Sequence, residues 1–253
     1  MLLTIDVGNT NTDIGLFNGE QLVRSFRMKT DARSTADEIA LTFRGLLAAE
    51  PGIDGIALCS TVPAVLREMR EVFRVYYPGQ PCVVVEPGVK TGVGVLTDNP
   101  KEVGTDRIMN TLAAFHLYGG PCIVVDFGTS TNFDVISAKG EFLGGALAAG
   151  IEISVDALAQ RAAQLRKVEL VRPRSVIGKN TVEALQSGTV YGFAGQVDGV
   201  VTRIIEELGG EVTAVIATGG LSKVVLAEAH TITTHEPALT LIGLRLVFDK
   251  NAQ

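Results

Sequence analysis

The chain has 253 residues, 46% of them hydrophobic, and a net charge of −6. Such a chain is long and apolar enough to bury a large core, either as one domain or as two compact halves. It has no long basic stripe and no apolar run that could span a membrane, so we expect neither a nucleic-acid nor a membrane partner. Its start lacks the basic region and the cleavage site of a secretory signal, which predicts a cytoplasmic protein.

The cysteines predict neither a disulfide nor a zinc site. Cys59, Cys82 and Cys122 are odd in number, lie in or beside apolar runs and have no metal-ligand spacing. We therefore expect buried, reduced thiols. The three histidines are expected to have structural roles.

The first half of the chain predicts a strand, a polar turn and a hairpin. The apolar run Leu2–Ile5 is typical of a buried strand, and the turn Asp6–Asp13 follows it. An Asn18-Gly19 pair between two apolar runs then predicts a hairpin. The other elements predicted in this half are helices at 36–49, 63–76 and 108–118, strands at 56–59 and 81–86, and an irregular segment at 87–103.

The second half restarts the same pattern. The apolar run 123–125 leads into a second polar turn, Asp126-Phe127-Gly128-Thr129. Two short strands are predicted at 133–137 and 141–143, and the small residues 144–150 predict a flexible stretch. The other elements predicted in this half are helices at 153–165, 181–208 and 238–248, a loop at 168–180, and a strand at 212–217 that ends in a third glycine turn, Gly219-Gly220.

The two Asp-x-Gly turns have the residues of a phosphate or metal site. Gly8 lets the backbone turn sharply and approach a ligand, and the side chains of Asn9 to Thr12 supply hydrogen-bond donors. The flanking carboxylates of Asp6 and Asp13 could hold a metal ion. Ordinary tight hairpins are the alternative, but two such turns at the heads of matching halves favour a nucleotide site. A P-loop is excluded, because Pro173 stands where that motif needs glycine.

A second polar cluster, Gly104-Thr105-Asp106-Arg107, precedes the helix predicted from Ile108. Charged residues at a helix N-terminus are well placed to meet an anion or a substrate hydroxyl. The alternative is that Asp106 only caps the helix and that Arg107 is solvated. The residues alone leave both interpretations open.

The helix predicted at 181–208 carries Gly188, Gly192 and Gly195 on roughly one face. Each glycine costs about 1 kcal/mol of helix stability relative to alanine. Close packing of another helix or of another chain is the expected compensation.

The duplicated strand–turn–strand pattern resembles the superfamily of actin, sugar kinases and Hsp70. This resemblance implies an α/β fold of two duplicated ribonuclease-H-like halves, 1–118 and 119–253, with an ATP cleft between them. Within the superfamily, nearly the whole chain is similar to the type III pantothenate kinases. The motifs that carry the similarity are Asp6–Asn11, Asp98–Pro100, Gly104–Arg107, Asp126–Thr129, Asn180-Thr181, Gln186–Gly188, Ala217–Gly220 and Leu239–Leu244.

For function, the resemblance implies ATP-dependent phosphorylation of pantothenate to 4'-phosphopantothenate, the first step of coenzyme A biosynthesis. Asp106 matches the catalytic proton acceptor of the family. The positions that match pantothenate-binding residues are Gly104, Thr105, Asp106, Arg107 and Thr181. The positions that match nucleotide-binding residues are Asp6, Val7, Gly8, Asn9, Thr10, Asn11, Thr12, Asp13 and Thr129.

The resemblance also implies two ions and a dimer. Asp6 is expected near Mg²⁺, and Asp126 matches the ligand of a monovalent cation, K⁺ or NH₄⁺. The pantothenate site of the family is completed across a homodimer interface. The glycine face of the helix predicted at 181–208 is our candidate for part of that contact.

Three positions depart from the family pattern. Thr97 stands where many members have tyrosine, Thr105 where alanine is usual, and Asn132 where threonine is common. The charged residues at the expected catalytic and ion-binding positions are all present, so the reaction type is expected to be kept. The alternatives are another small-molecule kinase of the superfamily and a non-catalytic regulator akin to the Bvg accessory factors. An actin-like filament protein is disfavoured by the short chain.

Overall fold

A computed structural model describes residues 1–50, 52–161 and 168–252. Its helices are α1 (Ala36–Leu46), α2 (Pro63–Tyr76), α3 (Thr105–Tyr118), α4 (Ile151–Arg161), α5 (Thr181–Glu207) and α6 (Leu239–Asn251). Its strands are β1 (Leu2–Val7), β2 (Asn11–Asn18), β3 (Gln21–Lys29), β4 (Gly55–Ser60), β5 (Cys82–Val84), β6 (Cys122–Phe127), β7 (Ser130–Ile136), β8 (Phe142–Ala149), β9 (Ala214–Thr218) and β10 (Thr234–His235). Short 3₁₀ turns lie at Pro100–Glu102 and Ser222–Val224.

The chain divides into two compact units. Unit 1 comprises Met1–Val93, Asn99–Ala113 and Ala238–Gln253. Unit 2 comprises Gly94–Asp98 and Ala114–Pro237. The expected division at 118/119 differs from these units chiefly at the C-terminus, because α6 packs against β1, β2, β4 and β5 of unit 1.

Unit 1 is built on a five-stranded sheet in the order β3-β2-β1-β4-β5. The first three strands are antiparallel neighbours, as the predicted hairpin requires. In contrast, β4 pairs parallel with β1, and β5 pairs parallel with β4. Because parallel neighbours end at the same edge of a sheet, the turn after β1 lies beside the end of β4.

The helices of unit 1 begin where the sequence provides a cap or a proline. At the start of α1, Thr35 and Glu38 form a reciprocal capping box. At the start of α2, Pro63 occupies the first turn, where its missing N–H has no cost. The apolar faces of α1 and α2 meet the sheet in one core that includes Phe43 and Met69.

Unit 2 repeats this sheet, which confirms the expected duplication. The strand order is β10-β9-β6-β7-β8, with β6, β7 and β8 antiparallel and with β9 parallel to β6. Asp126 on β6 therefore corresponds in position to Asp6 on β1. The pairs Val7–Thr12 and Phe127–Thr131 close the two turns, so the second turn is one residue shorter than the first.

The structure differs clearly from two predicted elements and contains one strand that was not predicted. The helix α3 begins at Thr105, since the carbonyl of Gly104 already accepts the N–H of Ile108 at 3.3 Å. The stretch 144–150, predicted to be flexible, is mostly the strand β8, whose small residues pair in register with β7. The two-residue strand β10 was not predicted at all. The helix predicted at 153–165 is observed as α4, and its predicted residues 162–165 lie outside the described residues.

Candidate active site

The parallel pairing of β1 with β4 places a thiol beside the first aspartate. Asp6 and Cys59 are register partners, and the Cys59 thiol donates to Asp6 Oδ1 at 3.2 Å. Cys59 is fully buried, and burial raises its pKa well above the ordinary value, with the negative charges of Asp6 and Asp106 adding to the effect. Cys59 is therefore a neutral hydrogen-bond donor to Asp6.

The sequence did not mark Cys59 as a site residue. It was expected only to be buried and reduced, and it is a free, buried cysteine, as is Cys122. The expectation of burial is wrong for Cys82, which is exposed and also free. One feature of the sequence pointed to this contact. Cys59 lies at the end of the strand predicted at 56–59, and parallel pairing of that strand with β1 would place Cys59 beside Asp6.

The first polar turn exposes only part of the residues predicted to bind nucleotide. The backbone N–H of Gly8 donates to the Asn11 carbonyl at 3.0 Å, and this bond closes the turn. At its tip, Asn9, Thr10 and Asn11 are exposed. These three residues are placed where a ligand could reach them.

The other residues predicted in this turn have side chains engaged within unit 1. Val7 is fully buried in the core, and its carbonyl accepts the N–H of Thr61 at 3.0 Å. The Thr12 hydroxyl is buried against that of Thr30 at 2.8 Å. Asp13 forms a two-pronged ion pair with Arg27, at 2.6 and 3.0 Å. In this structure Asp13 is thus paired with Arg27, and the expectation that it joins Asp6 in holding a metal stays a prediction.

The polar cluster 104–107 forms the first turn of α3 and contains two buried oxygens without a protein partner. These atoms are Asp106 Oδ1 and Thr105 Oγ1. Burial raises the pKa of Asp106, an effect opposed in part by the backbone N–H of Arg107, the charge of Arg107 and its own N–H. Buried polar atoms are nearly always hydrogen-bonded in folded proteins. These two adjacent oxygens are therefore open to a hydrogen bond from a ligand or from water.

Gly104 makes room for the Asp106 carboxylate. A Cβ atom at position 104 would lie 2.4 Å from Asp106 Oδ1, far inside contact distance. The family resemblance places Gly104 among the pantothenate-binding positions, and in the structure its nearest neighbour is this carboxylate. Gly104 permits the orientation in which Asp106 keeps its unpartnered oxygen.

In unit 2, the second and third glycine turns meet at the end of β6. Gly219 has a φ of +87°, and a Cβ there would lie 2.5 Å from Asp126 Oδ1. Gly128 closes the second turn by donating its N–H to the Ser130 carbonyl at 3.0 Å. Thr129 is exposed at the tip of this turn. A side chain on Gly219 would therefore collide with the Asp126 carboxylate, whereas one on Gly128 would reach it only at an ordinary contact distance of 3.9 Å.

The second turn also touches the start of α4. The N–H of Gly150 donates to the Thr129 carbonyl at 3.1 Å, and Ile151 begins the helix. A Cβ on Gly150 would lie 2.3 Å from that carbonyl, so only glycine allows this approach. The positive end of the α4 dipole is therefore next to Thr129.

Thr181, the remaining predicted site residue, begins α5 in unit 2. It is exposed, and it follows Asn180, which caps the helix by accepting the Glu183 N–H at 2.9 Å. Arg107 is partly buried in the first turn of α3, and its charge lowers the pKa of Asp106.

The carboxylates fit ions held mainly by phosphate and water. Over residues 1–50, 52–161 and 168–252, no three His, Cys, Asp or Glu side chains are grouped as a metal cage. Magnesium at nucleotide sites is commonly held by one or two carboxylates together with phosphate oxygens and water. Asp6 and Asp126, each at the end of a central strand, suit that mode of binding. In the same described ranges, no helix is long and apolar enough to cross a membrane.

Solved structures with the same fold include proteins of different function. A chain assigned to the Baf family of transcriptional activators, from Campylobacter jejuni, matches with a TM-score of 0.58 and 18% identity, over 99% of this chain and 98% of that one. The ROK hexokinase of Thermus thermophilus matches with a TM-score of 0.53 and 15% identity, over 97% of both chains. The fold is therefore that of the actin-like ATPases and ROK kinases, with two duplicated ribonuclease-H-like units.

Sequence similarity identifies the family. Residues 2–203 match the model of the type III pantothenate kinases. The type III pantothenate kinase of Salinispora arenicola (strain CNS-205) is 66% identical over 252 residues, which cover 99% of this chain and 100% of that protein. The chain belongs to the type III pantothenate kinase family. It is a kinase, and membership of this family implies the use of ATP.

The buried carboxylate of Asp106 generates a prediction about stability. Its pKa is raised in the folded state, so stability falls as the pH rises from the pKa of the unfolded carboxyl to that of the folded one, and the full cost is present above the folded pKa. At pH 7 we expect Asp106→Asn to unfold at a higher temperature and a higher urea concentration than the wild type. The difference should shrink as the pH is lowered towards about 4, where the carboxyl of the unfolded chain also becomes protonated.

The control for this experiment is Asp54→Asn. Asp54 is 80% exposed and pairs with the N-terminal amine, so its replacement should change stability little at either pH. An Asp106→Asn protein that is less stable than the wild type at pH 7 would contradict the assignment of Asp106 as a strained, unsatisfied carboxylate.

Proposed function

We propose that this protein transfers the γ-phosphoryl group of ATP to pantothenate, producing 4'-phosphopantothenate in the first step of coenzyme A biosynthesis, and that it does so in the cytoplasm. The observation that carries the proposal is the buried, unpartnered Oδ1 of Asp106 at the start of α3. It supports a family assignment that rests independently on sequence similarity over the whole chain.

Asp106 is suited to accept the proton of the attacking alcohol. Phosphoryl transfer asks a protein mainly to position the reactants and to stabilise charge. A carboxylate with a free lone pair orients the pantothenate hydroxyl and takes its proton as the oxygen attacks phosphorus. Burial raises the pKa of Asp106, which makes its carboxylate a stronger base than an exposed aspartate.

The neighbours of Asp106 supply the rest of the acceptor site. The Thr105 hydroxyl is buried without a partner and can donate to pantothenate. The Arg107 guanidinium is suited to the pantothenate carboxylate or to the transferring phosphoryl group, since its planar fork pairs with both. Gly104 leaves room for the orientation of Asp106. The family resemblance alone suggests Thr181 as a further pantothenate-binding residue.

The two polar turns supply the donor site. The exposed residues Asn9 to Asn11 and Thr129 present amides and hydroxyls for the phosphates of ATP. When bound at Asp6, Mg²⁺ would neutralise phosphate charge during transfer. Asp126, which lies against Gly219, would hold K⁺ or NH₄⁺.

The first experiment measures ADP release with and without pantothenate. We expect turnover only when pantothenate is present, and a loss of about 10²- to 10⁴-fold in kcat for Asp106→Asn, because the proton acceptor is removed. Asp54→Asn, on the exposed surface, should retain wild-type activity. Pantothenate binding without any turnover by the wild type would favour the non-catalytic regulator instead.

A second experiment tests the monovalent cation. At equal ionic strength and with Mg²⁺ present, activity should be high in K⁺ or NH₄⁺ and low in Na⁺. Asp126→Asn should weaken this dependence, because one anionic ligand oxygen is lost. Equal activity of the wild type in all three salts would count against the proposed role of Asp126.

The glycine face of α5 supports a homodimer. Gly188, Gly192 and Gly195 are exposed, and a Cβ at any of the three would meet nothing within 4 Å. Large apolar side chains are exposed on and just before the same helix: Val176, Ile177 and Val182. A second copy of the chain packed on α5 would cover the exposed glycines and these apolar side chains.

The test of the dimer uses two glycine-to-leucine variants. Gly195→Leu should dissociate the dimer in sedimentation analysis and reduce activity, since it fills the proposed contact. Gly45→Leu is the control, because Gly45 is also an exposed helical glycine with nothing within 4 Å of an added Cβ. A Gly195→Leu protein that remains dimeric, or a wild type that is monomeric and fully active, would remove the homodimer from the proposal.

A further inference from the structure

The short edge strand β10 connects a histidine to the third glycine turn. β10 pairs parallel with β9, and His235 is the register partner of Ala217. Past Ala217 the chain reaches Thr218 and then turns at Gly219. None of the catalytic or binding roles described above uses His235.

Ser222 links His235 to this turn. Ser222 is only 1% exposed, and its Oγ lies 2.9 Å from the carbonyl oxygen of Gly219 and 2.9 Å from Nε2 of His235. The hydroxyl donates to the Gly219 carbonyl, because a carbonyl can only accept. The serine oxygen then accepts from His235, so Nε2 must carry a proton.

The position of the third glycine turn determines the space around the Asp126 carboxylate. A Cβ on Gly219 would lie 2.5 Å from Asp126 Oδ1 and 2.6 Å from the Phe127 carbonyl. The N–H of Leu221 also donates to the Phe127 carbonyl, at 3.3 Å. The third turn is therefore in direct contact with the turn that carries Asp126 and Thr129. A small displacement of Gly219 would change the space beside that turn.

We propose that His235 is a positioning residue for nucleotide binding. It donates from Nε2 to Ser222, which in turn donates to Gly219 and holds the third glycine turn against Asp126. This inference rests on the proposed function only in taking the Asp126–Thr129 turn as part of the ATP site. His235 contacts neither ATP nor pantothenate in this scheme, and its role needs a donor rather than a charge.

The requirement for a donor can be separated from the requirement for bulk. In His235→Gln, the amide nitrogen can replace Nε2 as the donor to Ser222, whereas His235→Leu fills similar space without a donor. Ser222→Ala removes the link from the other side. His116→Leu is the matched control, since His116 is an exposed histidine on α3.

The measurements are the Kd of a non-hydrolysable ATP analogue without pantothenate, the KM of each substrate, and kcat. We expect His235→Leu and Ser222→Ala to raise the Kd and the KM of the nucleotide by about five- to tenfold, the loss expected for one hydrogen bond. The KM of pantothenate should stay at the wild-type value. His235→Gln should restore nucleotide affinity to within about twofold, and His116→Leu should match the wild type.

Two results would overturn the inference. One is wild-type nucleotide affinity in His235→Leu. The other is equal damage in His235→Gln and His235→Leu, which would show that the ring acts by packing. A failure of the proposed function would give another result. The wild type would bind the ATP analogue and the His235 variants would show the expected order of Kd values, but no pantothenate would be phosphorylated.

Discussion

The parallel pairing next to each central strand is the constraint on which both halves depend. In unit 1 it aligns Asp6 with Cys59, and in unit 2 it aligns Asp126 with Thr218. Because the paired strands end at one edge, the turns that follow them are brought together although they are far apart in the chain. Each unit thereby presents an aspartate surrounded by backbone and small side chains, and this is the arrangement that a phosphate-binding edge requires.

The same architecture is used for different purposes in the two units. In unit 1, the aspartate at the end of β1 receives a neutral donor, the Cys59 thiol, and the strand edge is joined by the buried carboxylate of Asp106. In unit 2, the equivalent aspartate lies against Gly219, and the start of α4 touches the adjacent turn. Duplication of the fold therefore did not preserve the surroundings of the aspartate: one copy carries the proposed proton acceptor and the other carries the proposed ion site.

Asp106 shows how function and stability oppose each other at this site. An unpartnered buried oxygen lowers the stability of the folded state, and its cost is offset by the packing of the large cores around it. Gly104 preserves the arrangement by leaving room for the carboxylate. A protein optimised for stability alone would pair or replace this group, so its presence is consistent with the proposed catalytic role.

The sequence by itself determined the features that depend on neighbouring residues. The Asn18-Gly19 hairpin, the helix from Pro63 to Tyr76 and the two aspartate turns follow from local periodicity and turn chemistry. The local pattern at Asp106 left a helix cap and a functional site equally open, and only the family resemblance favoured the site. Tertiary structure decided the rest. The remaining features depend on contacts between segments that are distant in the chain or on neighbouring strands. They are the packing of α6 on unit 1, the pairing of β10, the hydrogen bond from Cys59 to Asp6 and the ion pair of Asp13 with Arg27. Such contacts are set by strand pairing and side-chain orientation, which no local pattern encodes.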